Sequence, residues 1–210
     1  MNYDGLVLAA VAAELNMRIN GGRVQQIRQH NDTDITLEIR TPGHSDYLFF
    51  SISPRFARAY LTSSTQPVPK TPPNFCMLCR KHLDGGFVAS IRQKGLDRIL
   101  EISIEHRDGR KFNLILEIMG KHSNLILVDS EDKILGAIKH VGTSVSRLRQ
   151  ILPGKEYTLP PGSSKTDIAA VDKPNIEQLW RAEFAGNANR ENTKDWLMNT
   201  FSGFGPFLAE

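Results

Sequence analysis

The most constraining feature of the chain is a strict alternation that runs, with one break, from residue 99 to residue 118. Leu100, Ile102 and Ile104 alternate with Glu101, Ser103 and Glu105; after Asp108-Gly109, Phe112, Leu114, Leu116 and Ile118 answer them. Side chains on a strand point to opposite faces with a period of two, so the pattern predicts two antiparallel strands with one face buried and one wet. Asp-Gly at the break predicts a type I′ hairpin turn. Residues 125–128 and 133–138 extend the meander, with 129–132 as its next turn. The buried face of such a sheet needs cover, and helices supply it. The expected fold class is therefore α+β, an antiparallel sheet with packed helices.

The rest of the chain fits that frame. Asp4 precedes a run of good helix formers, which predicts an N-cap and a helix over 4–17 that stops at Asn20-Gly21-Gly22. Short β-patterned runs follow at 23–29, 34–40 and 46–52, with another at 57–62; the Ser, Thr and Pro of 63–73 predict an extended loop. Asn74 is placed to cap a second helix from Phe75 to Leu83, which Asp84-Gly85-Gly86 ends. Composition shifts near Leu152-Pro153-Gly154. Residues 160–166 are a Pro/Gly/Ser linker, and helical patterns occupy 176–184 and 193–200. This predicts an α+β domain over 1–160 and a helical region over 161–210. No internal repeat is visible. Residues 204–210 read as the first turn of another helix, so the chain reads as part of a longer protein.

At 210 residues and 40% hydrophobic the chain can bury a real core, and a net charge of +3 permits an anionic partner without demanding one. Cys76 and Cys79 are the only cysteines. No second CxxC or His pair completes a metal site, and an i,i+3 disulfide within one helix would be strained, so free thiols on a packed helix face are expected. The apolar run at 6–13 lacks the basic flank of a secretory signal and sits between Asp4 and Glu14. No stretch has the length of a membrane span. A cytoplasmic location is expected, with no cofactor and no metal.

Three constellations carry possible chemistry. Phe201-Ser202-Gly203-Phe204-Gly205-Pro206 between helical patterns has the form of a helix-hairpin-helix element, whose glycines let a backbone approach a phosphate; it also fits a tight interhelical turn that only packs. Asp97-Arg98 stands at the start of the strand at 99–105. Aspartate can accept from a base edge and arginine can stack on a base or grip phosphate; a surface ion pair is the alternative. Gly120-Lys121-His122-Ser123-Asn124 is a polar turn between apolar strands. Lys121 and His122 can face an anion, or the segment can be a plain turn whose Ser and Asn bond their own backbone. No Ser/His/Asp arrangement, paired carboxylates or phosphate loop stands at a usable spacing.

Taken in order, Phe75-Cys76-Met77-Leu78-Cys79-Arg80-Lys81-His82-Leu83, Gly95-Leu96-Asp97-Arg98-Ile99, Glu117-Ile118-Met119-Gly120-Lys121-His122-Ser123-Asn124, Ile138-Lys139-His140 and Leu152-Pro153-Gly154-Lys155-Glu156-Tyr157 resemble the N-terminal domain of the NFACT family, also called fibronectin-binding protein A. The resemblance runs from Met1 to about residue 161, and the tail resembles the start of the family's helix-hairpin-helix region. Cys79 stands where an aliphatic residue is expected. The resemblance implies binding to tRNA and to a large ribosomal subunit carrying a stalled chain, in support of untemplated alanine tailing from alanyl-tRNA. The ribosome supplies the bond-making, so the chain itself is expected not to be an enzyme. The family's sensitive positions, an acidic residue at the first helix and an Asp-Arg pair, match Asp4, Asp97 and Arg98. Lys121 and His122 would flank them, and Gly203 and Gly205 would meet the nucleic-acid backbone. The fold also resembles the N-terminal domain of formamidopyrimidine-DNA glycosylases. Their N-terminal proline and adjacent glutamate are replaced here by Met1-Asn2, so base excision is not expected. The family's older name supplies another alternative, a surface protein that binds fibronectin or fibrinogen.

Overall fold

The computed structural model describes residues 3–144, 149–160, 165, 166, 168, 171–184, 189–205 and 209. Helix α1 spans Gly5–Ile19; Asp4 caps it, its carboxylate accepting the Val7 N–H at 3.0 Å. Leu8, Ala12, Leu15 and Ile19 recur at helical spacing and are buried. Strands β1 (Arg23–Gln29), β2 (Asp34–Thr41), β3 (His44–Ser51) and β4 (Arg58–Thr62) follow as a meander. Helix α2 (Asn74–Leu83) opens a second series, β5 (Phe87–Gln93), β6 (Ile99–Glu105), β7 (Lys111–Glu117), β8 (Asn124–Asp129) and β9 (Ile134–Ala137). The nine strands form one antiparallel sheet in the order β4-β3-β2-β1-β5-β6-β7-β8-β9. Helices α3 (Lys173–Phe184) and α4 (Arg190–Thr200) come last. No helix among the described residues is long and apolar enough to cross a membrane.

The architecture contains a repeat that composition hides. A helix, a Gly-Gly turn and an antiparallel meander occur twice, and Ile19-Asn20-Gly21-Gly22-Arg23-Val24 corresponds to Leu83-Asp84-Gly85-Gly86-Phe87-Val88. The two copies meet at the Arg23–Phe87 pair. Gly21 N–H donates to the Val88 carbonyl at 2.8 Å and Gly85 N–H to the Val24 carbonyl at 2.9 Å, a reciprocal exchange that fastens β1 to β5. Both strands carry a bulge at the same place, between Val24 and Gln26 and between Val88 and Ser90. Each helix packs on the leading strand of the other copy, α1 on β5 and α2 on β1, so neither copy closes its core alone.

Several local expectations change. Strand β5 was not anticipated, because its bulge breaks the alternation of Val88 and Ile91. Asn74 lies inside α2 rather than capping it: Pro73 is the N-cap residue, and no side chain bonds the helix start. The turn after β6 is not type I′, which needs positive φ at both central residues. Gly109 has φ +87° but Asp108 does not; Gly109 N–H returns to His106 O at 2.9 Å and His106 N–H reaches Arg110 O at 2.8 Å, the form of a type I turn with a glycine bulge. The helix expected at 204–210 lies largely outside the described residues, as do Met1 and Asn2.

Helices cover one face of the sheet, but β7–β9 and the start of β6 are covered on both. Leu125 and Leu127 of β8 enter the main core, whereas Ile126 and Val128 pack with Ile99, Ile115, Ile134 and Ile151. Glu117, at the end of β7 and 1% exposed, holds this second layer down. It accepts two hydrogen bonds from the Arg149 guanidinium and one from the Tyr157 hydroxyl at 2.8 Å. Burial works against the Arg149 cation, but the bonds and charge of Glu117 outweigh it and raise its pKa. Burial and the same carboxylate push the Tyr157 phenol far above its ordinary range. Cys76 and Cys79 are buried free thiols on the core face of α2, and burial pushes the Cys79 thiol up.

Tyr3 makes one pH prediction. Its hydroxyl donates to the Ala59 carbonyl at 2.7 Å, and burial raises its pKa to about 12. A phenol easier to ionise in the unfolded chain contributes stability that is complete below its unfolded pKa of roughly 10 and is lost as pH rises through the folded value. Denaturant midpoints between pH 9 and 12 should therefore fall with pH, less steeply in Tyr3→Phe. Equal slopes would count against this role for Tyr3.

Candidate functional site

Three backbone segments converge at the start of α1. A Cβ added to Gly5 would stand 2.1 Å from the Leu96 carbonyl oxygen and 2.7 Å from the Gly203 Cα. Gly203, at φ +86°, leaves room for Leu96, whose Cβ is 2.6 Å from where its own would be. The Gln93 amide ties two of the segments by donating to the Gly5 carbonyl at 2.8 Å and the Asp97 carbonyl at 2.9 Å. The Asp97 N–H closes a turn onto the Lys94 carbonyl at 3.0 Å, and the Arg98 carbonyl accepts the Ile118 N–H at 2.9 Å. The third segment is anchored by Phe201, packed among Trp196 and Phe204, and by the Ser202 N–H, which donates to the Thr166 carbonyl at 2.9 Å.

These segments enclose a cavity of about 290 Å³. Asp4, Asp97, Arg98, Lys165, Gly203 and Gly205 line it, with Leu96, Met119 and Phe204 among the apolar walls. Five residues singled out from the sequence, spread from position 4 to position 205, thus share one space. Asp4 is 3% exposed: one carboxylate oxygen caps α1, while Oδ2 is buried and has no hydrogen-bond partner among the described residues. A buried acceptor left unpaired costs about 1–3 kcal/mol, more for a charged group, which an N–H donor placed in the cavity would recover. Asp97 is half-buried, and Arg98 and Lys165 are exposed. The cavity therefore combines a buried acceptor with exposed cations, a set that takes N–H groups inside and an anion outside.

Lys121 and His122 are placed differently. They sit exposed on a single 3-10 turn, Gly120–His122, just past Met119, and do not line the cavity. The polar residues after them serve the turn itself. Ser123 Oγ accepts the Met119 N–H at 2.8 Å, and the Asn124 side chain exchanges bonds with the Lys139 backbone at 2.8 and 2.9 Å. The Lys139 ammonium reaches the Ser123 carbonyl at 3.0 Å and the Ile52 and Lys121 carbonyls at 3.4 Å; burial lowers its pKa. Sequence reasoning missed Lys165 and Gln93. Lys165 had no signal beyond a lysine in a Pro/Gly/Ser stretch, and the role of Gln93 depends on a carbonyl 88 residues away. Among the described residues no group of three or more His, Cys, Asp or Glu could hold a metal ion.

Residues 4–210 match the family model for NFACT N-terminal and middle domains. The chain belongs to the NFACT family. Its NFACT relatives include the Rqc2 homolog RqcH of Streptococcus suis, 46% identical over 210 residues, and that of Bacillus subtilis, 36% identical over 216. Those alignments take in 98% and 100% of this chain, which spans 37% of each relative's length. Human ribosome quality control complex subunit NEMF is 30% identical over 99% of this chain and 18% of its own. The N-terminal part of the fibronectin/fibrinogen-binding protein from Streptococcus suis superposes with a TM-score of 0.88 at 38% identity, over 99% of this chain and 77% of that one. The fibrinogen-binding protein of Staphylococcus aureus gives 0.83 at 34% identity, over 100% of this NFACT chain and 73% of that one.

Proposed function

We propose that this chain is the tRNA-handling part of a ribosome quality-control factor and that the cavity at the start of α1 receives an unpaired tRNA base. The observation that carries the reading is the buried Asp4 Oδ2, unpartnered among the described residues, in a cavity shared with Asp97 and Arg98. A base edge presents N–H donors to carboxylates, and the backbone beside it presents phosphate to Arg98 and Lys165. A space of about 290 Å³ suits one base-sized group, not a helix. Gly203 and Gly205 would bring the hairpin backbone close to the same strand, with Lys121 as an outlying cation and His122 beside it. On the family resemblance the partner would be a large ribosomal subunit with a stalled chain and the outcome alanine tailing, the ribosome making the bonds. The chain then binds and orients and does no covalent chemistry.

The test is tRNA binding and alanine tailing by the full-length protein on stalled large subunits, with a thermal melt for every variant. Arg98→Ala should weaken tRNA binding by about 1–3 kcal/mol, the range for a charged hydrogen bond or a base stack. Asp97→Ala separates two cases: a bystander carboxylate repels RNA, so its loss would help binding, whereas a base reader's loss weakens the correct tRNA most. Asp4→Asn keeps the helix cap but removes the charge, so tailing should fall while the melt holds. Wild-type tailing by folded Asp97→Ala and Arg98→Ala proteins would end the assignment.

A further inference from the structure

A second cavity, of about 450 Å³, lies at the other end of α2 from its Gly-Gly stop. Pro73, Phe75, Leu78, Leu135, Ile138 and Pro153 give it apolar walls. Gln29, at the end of β1 and only 4% exposed, also lines it. The Gln29 amide nitrogen donates to the Asn31 carbonyl at 3.0 Å, but its Oε1 is buried with no partner among the described residues. Such an acceptor calls for an N–H or O–H donor.

Two further features face the same space. The leading N–H groups of α2, like those of any helix, have no intrahelical acceptor, no side chain caps them, and Pro73 and Asn74 put that turn on the cavity wall. Strand β9 is the last in the sheet, and its outer edge is covered only at the ends. Ile134 N–H donates to the Lys155 carbonyl and Gly154 N–H to the Ile134 carbonyl, both at 2.8 Å; Val141 and Ile151 exchange bonds at 3.0 and 2.8 Å. The covering segment is shorter than the stretch it spans, since Lys133 pairs with Glu156 and Val141 with Ile151. Residues 135–140 between the two fastenings have no strand on that side among the described residues, and five of those six line the cavity.

We propose that this cavity binds an internal, extended peptide segment of a partner protein through one aliphatic or aromatic side chain and the amides on either side of it. A peptide unit carries an N–H donor and a carbonyl acceptor next to an apolar side chain. That matches the orphaned Gln29 acceptor, the uncapped N–H groups of α2 and the apolar walls, and the bare edge of β9 offers a short ladder. Asp32 on the cavity rim favours a basic residue beside the anchor and disfavours a free chain carboxylate. Gly136 keeps the space open: a Cβ there would stand 2.4 Å from Leu78 Cδ2 and drive that side chain into the cavity.

The test uses acetyl- and amide-capped hexapeptides with one central Leu, Ile or Phe flanked by Thr and Lys, titrated against the full chain by calorimetry, with free leucine as comparison. At least one capped peptide should bind saturably, and Gln29→Leu should weaken it tenfold or more. Because Gln29→Leu removes an unpaired buried acceptor, its melting temperature should hold or rise, so lost binding is not lost folding. Gly136→Ala should also block binding; if it unfolds the chain, Gln29→Leu decides alone. Asp97→Ala should leave peptide binding unchanged, which separates this site from the RNA reading. Three outcomes would overturn the proposal: no saturable binding up to millimolar peptide, equal binding by Gln29→Leu, or binding of free leucine in place of capped peptides.

Discussion

Gly5→Ala should disable the proposed RNA site and lower stability together, although it removes no functional group. The added Cβ would overlap the Leu96 carbonyl oxygen at 2.1 Å and crowd the Gly203 Cα at 2.7 Å. Both neighbours are backbone, so no side chain can turn aside. Overpacking of this kind costs about 1–3 kcal/mol and occasionally more. Relief requires the start of α1 to move off the turn at Leu96, which carries Asp4 away from Asp97 and Arg98. At least a tenfold loss of tRNA affinity is expected, with a lower melting temperature. Gly142→Ala is the matched control, because its added Cβ would meet nothing within 4 Å. A Gly5→Ala protein with the melt and affinity of the parent would show that this close approach is not needed.

Arg149→Met should produce the largest loss of stability. Glu117 is 1% exposed and depends on Arg149 and Tyr157 for its hydrogen bonds. Removing one partner of a buried pair strands the other charge and costs about 3–5 kcal/mol. For a chain of this size that is a fall on the order of 10 °C in melting temperature. The second layer formed by Ile151, Val141 and Tyr157 should loosen with it. The double change Glu117→Leu with Arg149→Met should recover much of the loss, since an apolar pair strands no charge. A single variant that melts like the parent would mean that the ion pair contributes little net stability. The effect should reach the proposed RNA site as well: Glu117 pairs with Ile99 in the sheet, and the next residue, Ile118, donates to the Arg98 carbonyl.

Much of the fold was legible wherever local chemistry governs it. The cap at Asp4, the stop at Asn20-Gly21-Gly22 and the alternation of β6 against β7 depend on residues a few positions apart, so their pattern survives in one dimension. Strand β5 was not legible, because a bulge shifts Val88 and Ile91 out of period two. The repeat escaped for a related reason. It is held by backbone bonds such as Gly21 to Val88 and Gly85 to Val24, which place little demand on side chains beyond the glycines. The continuous apolar run of β8 hinted at cover on both faces, but which segment supplied the second cover was not visible.

The site divides in the same way. Residue chemistry marked Asp97, Arg98, Gly203 and Gly205, each with a plain structural alternative at its own position, and Asp4 joined them only through the family resemblance. The sequence by itself determined the antiparallel α+β class, the Asp4 cap, the helix stops and the chemical character of those residues, because propensity, periodicity and turn chemistry act over a few residues. Only the tertiary structure decided that the five line one cavity, that Lys165 joins them and that Lys121 and His122 do not. It also decided that Asp4 keeps one carboxylate oxygen buried without a partner among the described residues. Burial and the absence of a donor depend on which distant segments exclude water from a group, and that is fixed by close approaches such as Gly5 to Leu96 and Gly203, between residues far apart in the chain.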